Sequence, residues 1–189
     1  EARLKNAKRF TMLYAPIFRL YTETYGEIPD ETAVKPFKLN ENDTPKGMAE
    51  CLGYLEKWKK CWGGDCFCYE YHFWRHQYYD PSGLYHAKLI YDDICALKKQ
   101  GLSGIVEDGS QRSFFPNGFH IYIYAEALMN RDCDYDAVLD DYLQHIYGDV
   151  WQEVKAYLQK VCAEGAEKAS YVAEKTLRKV YKKVGFVAR

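Results

Sequence analysis

Along 65–73 two chemically different faces alternate. In an extended chain Cys66, Cys68, Glu70 and His72 fall on one side, and Phe67, Tyr69, Tyr71 and Phe73 on the other. A carboxylate and an imidazole two residues apart at a strand end are the residue types of acid–base chemistry. A carboxylate there is costly to bury unless it is paired, hydrogen-bonded or used. Glu107 and Asp108 close a second short apolar run. Two strands that each end in a carboxylate supply what glycoside hydrolysis uses, one group as acid and the other as base or nucleophile. Glu70 and Glu107 are therefore the candidate catalytic residues. A structural reading stands beside this one, with Glu70 bonded to a His or Arg of a neighbouring strand and Asp108-Gly109 forming a strand-end turn. Which of Glu107 and Asp108 faces a cleft is open.

Other chemistries are poorly represented. His72-x-x-x-His76 sits at a strand end and in a loop, not on one helix face, so a metal pair is not expected there. Asp132-x-Asp134-x-Asp136 lacks the glycine and glutamate of a calcium loop, with Ala137 and Leu143 in those places; it fits a helix N-terminus. Three thiols in Cys61–Cys68 have no second pair at matched spacing, so the seven cysteines read as mostly free thiols of a reducing, cytoplasmic compartment. No phosphate loop, nucleophile elbow or dinucleotide fingerprint occurs, and no cofactor is expected.

Eighteen tyrosines dominate an aromatic share of 16%. Their flat faces and polar edges suit surfaces that stack on half-polar partners, although composition alone favours a tyrosine-rich core and rim. The net charge of −1 gives no global attraction for nucleic acid or an anionic membrane. No apolar run approaches a membrane span. The charged stretch at 1–9 reads as the interior of something longer.

The elements that must position these residues alternate. Phe10–Phe18 reads as a strand ended by Pro16, and Tyr25–Lys46 as a long proline-bearing loop. Thr44-Pro45 opens a helix carrying Met48, Leu52, Leu55 and Trp58, stopped by Gly63-Gly64. The strand at 65–73 follows. A helix from about Leu84 to Lys99 and a buried strand at Gly104–Gly109 come next. Phe119–Met129 is assigned as helix. From Asp134 on, three helical stripes appear, the first closed by Gly148, the second over Val150–Val161 and the last over about Ala166–Val184. The lysines of that last stripe read as a solvated face that complements the helix dipole, not as a nucleic-acid patch. The alternation predicts an α/β fold with parallel strands. In a barrel the aromatic face of the 65–73 strand would pack on helices, with Glu70 and His72 at the mouth.

Ala15-Pro16-Ile17-Phe18-Arg19, Tyr69-Glu70-Tyr71, Lys99–Gly104 with Glu107, and Asp134-Tyr135-Asp136 through Tyr142 to Ile146-Tyr147-Gly148 carry a resemblance. From about Met12 to Gln159 the chain resembles the C-terminal part of a bacterial family known as domain of unknown function 4838. That resemblance implies a glycosidase-like barrel, distantly similar to α-glucuronidases and β-hexosaminidases. The expected architecture is then the C-terminal part of a (β/α)8 TIM-type barrel over 1–131, followed by a helical segment over 132–189. Arg19 would line the sugar cleft with Glu70 and Glu107. His72 and Asp108 would join Arg19 in holding substrate, and Tyr69, Tyr71, Trp74, Tyr78 and Tyr79 would stack on it or form its wall. The expected function is action on, or binding of, a glycan, with a scaffold or inactive fragment as the alternative. The expected partners are a glycan, no nucleic acid and no membrane. The first half of the barrel would be missing, leaving a sheet edge open to self-association.

Overall fold

The computed structural model describes residues 4–26, 34–36, 38–40, 44, 45, 47–109, 114 and 116–184. Much of the expected loop at 25–46 lies outside them. Three short strands, β1 (Met12–Tyr14), β2 (Cys66–Glu70) and β3 (Ile105–Glu107), form one parallel sheet in the order β1-β2-β3. α1 (Met48–Trp62) connects the first two strands and α2 (Leu84–Ala96) the second two, as parallel neighbours require. α3 (Phe119–Met129), α4 (Tyr135–Tyr147) and α5 (Trp151–Val184) follow.

This is α/β in a loose sense: a small sheet with mostly helices, and no (β/α)8 barrel among the described residues. A barrel closes through eight tilted, staggered strands, and three strands in simple order remain an open sheet. The expectation of a TIM-type barrel is corrected accordingly.

The sheet faces are also reversed from expectation. Cys66 and Cys68, not the aromatics, pack beneath α1, in a core with Cys51, Leu52, Leu55, Leu97, Leu102 and Tyr25. Small thiols let the helix approach the strand closely and behave there as small apolar groups. The opposite face carries Leu13 and Val106, both nearly half exposed, beside half-buried Phe67 and Tyr69. The registers Tyr14–Cys68–Ile105 and Glu70–Glu107 put both glutamates on the helix-covered face. Asp108 therefore shares a side with Tyr69.

Local signals explain the ends of the elements. β1 stops short of the expected Phe18 because Pro16 cannot donate to a ladder. α1 begins at Met48, whose amide donates to the Glu23 carboxylate (2.7 Å), a cap supplied from outside the helix. Gly63 ends α1 in the left-handed region. Asp80 organises the start of α2, accepting from the Ser82 hydroxyl (2.6 Å) and the His86 amide (3.0 Å). Asp134 caps α4 through the Ala137 amide (2.8 Å), the role its acidic cluster suggested.

α2, α3 and α4 share a second core built on Phe119, Ile123, Leu139 and Leu143, and Trp151 and Leu158 of α5 pack against it. Much of the tyrosine content is accounted for here. Tyr91 donates to the Cys133 carbonyl (2.6 Å), Tyr135 to Leu84 (3.0 Å) and Tyr142 to Asn117 (2.7 Å), each tying two parts of the chain together.

The two helical stripes expected after Gly148 are one continuous helix, α5. Gly165 costs a helix interior about 1 kcal/mol, yet ion pairs from Glu164 to Lys160 (3.7 Å) and Lys168 (4.0 Å) bridge it at i,i+4 spacing. From residue 163 to 184 every residue is exposed.

Candidate functional site

A chain of alternating charge lies at the C-terminal ends of β2 and β3. Glu70 ends β2, and its Oε1 accepts from Arg19 Nη1 at 2.8 Å. Arg19 Nη1 also meets Asp93 Oδ2 of α2 at 2.7 Å. Asp93 Oδ2 contacts His72 Nε2 at 2.9 Å, and His72 Nδ1 contacts Glu107 Oε1 at 2.6 Å. The order is Glu70, Arg19, Asp93, His72, Glu107. Only Glu107 has any side-chain exposure, at 6%; the other four have none.

Tyrosines complete the enclosure. Tyr21 donates to Glu70 Oε2 at 2.7 Å, and Tyr25 hydrogen-bonds Glu70 Oε1. The Tyr71 amide also reaches Glu70 Oε2, at 3.1 Å. The Arg19 guanidinium lies against the rings of Tyr21 (4.6 Å) and Tyr25 (4.7 Å) and donates to the Glu23 carbonyl at 2.7 Å. The Tyr25 amide donates to Asp93 Oδ1 at 2.8 Å, and Gln100 Nε2 holds the Tyr25 carbonyl at 3.1 Å. Residues 19–25 are thus clamped to the sheet end and to α2.

The electrostatics follow from burial offset by partners. Burial alone would raise the Glu70 carboxyl, but Arg19, then His72 and the hydroxyls of Tyr25 and Tyr21 outweigh it and hold the group at about 2. Burial would lower His72, yet Glu107 and Glu70, with the bonds to Asp93 and Glu107, lift it to about 10, so it is an imidazolium at neutral pH. Burial pushes Glu107 above the usual carboxylate range, against the pull of His72. Burial keeps His86 near 3 and His120 near 4, and both are neutral imidazoles.

The sheet divides eight of the ten residues singled out from the sequence; the other two, Tyr78 and Tyr79, lie exposed in the turn His76–Tyr79. Glu70, Glu107, Arg19 and His72 converge on the helix-covered side. Tyr69, Tyr71, Trp74 and Asp108 lie on the open side, where the Tyr69 hydroxyl meets Asp108 Oδ1 (3.3 Å) and the rings of Tyr69, Tyr71 and Trp74 follow one another at 5.3 and 6.1 Å. Asp93, Tyr21 and Tyr25 are essential members that sequence reading missed. Asp93 had a signal, since it falls beside Ile90 and Ile94 on the apolar face of α2, where a carboxylate needs a partner.

Among the described residues no group of three or more His, Cys, Asp or Glu side chains is arranged to hold a metal ion. All seven cysteines are unpaired, with Cys51, Cys66 and Cys68 buried and Cys61 exposed. Among the described residues no helix is long and apolar enough to cross a membrane.

No family model matches the chain, and no solved structure matches it. Short stretches are similar to tryptophan–tRNA ligases. The ligase of Clostridium acetobutylicum is 61% identical over 33 residues, covering 18% of this chain and 10% of the ligase. That of Clostridium tetani is 66% identical over 35 residues, with the same coverage. The chain thus spans about a tenth of the length of these curated relatives. These findings overturn the resemblance to the domain of unknown function 4838 and the glycoside-hydrolase function drawn from it. The expected partners are corrected with it. In place of a glycan, no nucleic acid and self-association, the matched proteins are, by name, ligases that act on a tRNA.

Proposed function

We propose that the chain is an RNA-docking accessory element of the tryptophan–tRNA ligase type, whose contacts with tRNA are made by the basic face of α5. The observation that carries this reading is the exposure and charge of that helix. Trp151–Val184 holds eight Lys and Arg against four Glu, and from Lys168 onward the ratio is six to one. Lys168, Lys175, Lys179 and Lys182 follow i, i+7, i+11, i+14 spacing and so line one side of the helix with Tyr171. A helix of 34 residues is about 51 Å long, enough to follow several phosphates. A stripe of cations on an exposed helix is the electrostatic footprint of nucleic-acid binding, and it exists despite the overall charge of −1.

High identity over a short stretch supports the kinship with the ligases. The matched stretch covers a tenth of a ligase's length, so the reading is confined to a binding contribution. In this reading the buried charges of the sheet end hold the body together, because each lies against its opposite inside the fold.

The test is titration of tRNA with the full chain at several salt concentrations. Four lysine–phosphate contacts give a slope of log K against log salt of about −3. Absence of saturable binding at low salt, or a slope near zero, contradicts the reading.

A further inference from the structure

A second feature lies at the β1 side of the sheet. Among the described residues β1 is an edge strand, with β2 on one side only. The Met12 amide donates to the Asp65 carbonyl of the incoming β2 segment at 2.9 Å. Residues of a parallel ladder alternate in which neighbour their backbone groups face, so the N–H and C=O of Leu13 point away from β2. Among the described residues neither group has a backbone partner.

Beside this edge lies a cleft of about 1060 Å³. Tyr54, Leu55 and Trp58 of α1 line it together with Met12–Phe18 and Pro36. Leu13 and Trp58 are exposed apolar side chains, at 49% and 61%. Tyr14, also in the lining, has a buried hydroxyl with no hydrogen-bond partner. The cleft therefore joins two chemistries along one line: an unpaired strand edge and an aromatic wall.

We propose that this cleft takes an extended polypeptide segment of a partner protein, added as a fourth strand against β1. A compact apolar molecule would fill the wall and leave the Leu13 backbone groups unanswered. An extended peptide presents a carbonyl and an amide at strand spacing to meet them, and turns alternate side chains toward Trp58 and Tyr54. This inference is independent of the RNA-docking reading of α5.

The probe is a capped pentapeptide of alternating threonine and valine, with a counterpart N-methylated at alternate residues. Binding is followed by the part of the tryptophan emission that is lost in Trp58→Ala and by the chemical shift and hydrogen exchange of the Leu13 amide. The expected result is saturable binding that slows exchange at Leu13 and weakens at least tenfold on N-methylation. Leu13→Pro, which removes the edge donor, is expected to weaken it equally. Trp58→Ala, at an exposed position, keeps the test valid if the proline variant does not fold, and is expected to weaken binding while the body remains folded. Equal affinity for the N-methylated peptide, no change at the Leu13 amide on binding, or no binding at about millimolar peptide would each overturn the proposal.

Discussion

The sheet end and the distal half of α5 use charge in opposite ways. At the sheet end, Glu70, Arg19, Asp93, His72 and Glu107 are all but removed from water and arranged so that each charge faces its opposite. Along the distal half of α5 the cations outnumber the carboxylates and stand in water. Desolvated charges are held only while every partner is present, so losing one is severe. Solvated charges contribute little to stability and remain available to an outside anion. The lesson is that residue types which look catalytic in sequence can be architectural when enclosed. A lysine stripe that looks like mere solubilising surface can be the part that meets a partner.

The largest effect that separates the two regions should come from Arg19→Met. It leaves Glu70 and Asp93 buried without their shared cation and is expected to cost about 3–5 kcal/mol, read by urea denaturation. A loss under about 1 kcal/mol would show that the sheet-end charges are not structural.

Next comes pH. His72 has a folded pKa raised to about 10, so its contribution is complete below its unfolded value near 6.5 and is lost as pH rises toward 10. His86 and His120 are lowered to about 3 and 4, so their contribution is present above 6.5 and lost as pH falls through those values. Glu70, held at about 2, adds a loss below pH 4.5. Stability should therefore peak near pH 6.5 and fall on both sides, the alkaline loss being on the order of 3 kcal/mol. A flat profile between pH 6.5 and 10 would contradict the assignment of His72 as a buried cation.

The smallest effect sharpens the contrast from the other side. Leu177 lies half exposed on α5, and Leu177→Ser should change the stability of the body by no more than about 0.5 kcal/mol, measured by the same denaturation. A larger loss would mean that the distal helix is packed in solution.

Much of the element order was legible in the sequence because its signals are local. Gly63 stops α1, Asp134 caps α4, and Phe119–Met129 is helical as the residues around it indicate. The facing of β2 was not legible. Period-two alternation separates Cys66, Cys68 and Glu70 from Phe67 and Tyr69, but only tertiary packing decides which set meets α1. The register of β2 with β3 likewise decides that Glu107, and not Asp108, shares the side of Glu70. The site itself was half legible. Glu70, His72 and Glu107 stood out by type and Arg19 entered only through a resemblance that did not hold, whereas Tyr21 and Tyr25 sit where the chain gives no periodic signal, and Asp93 was hidden in a helix read for its apolar residues. The barrel was inferred from alternation over three strands, and alternation alone does not determine how many strands a sheet will have.

The proposed docking of tRNA on α5 is open to a direct test. The direct measurement is tRNA affinity against salt for the full chain and for a variant with Lys168, Lys175, Lys179 and Lys182 all replaced by glutamine, with helix content and urea stability followed in parallel. The account predicts unchanged folding, at least a tenfold loss of affinity at low salt, and a salt slope smaller in magnitude by about three. Equal affinity and slope in the two proteins would contradict it.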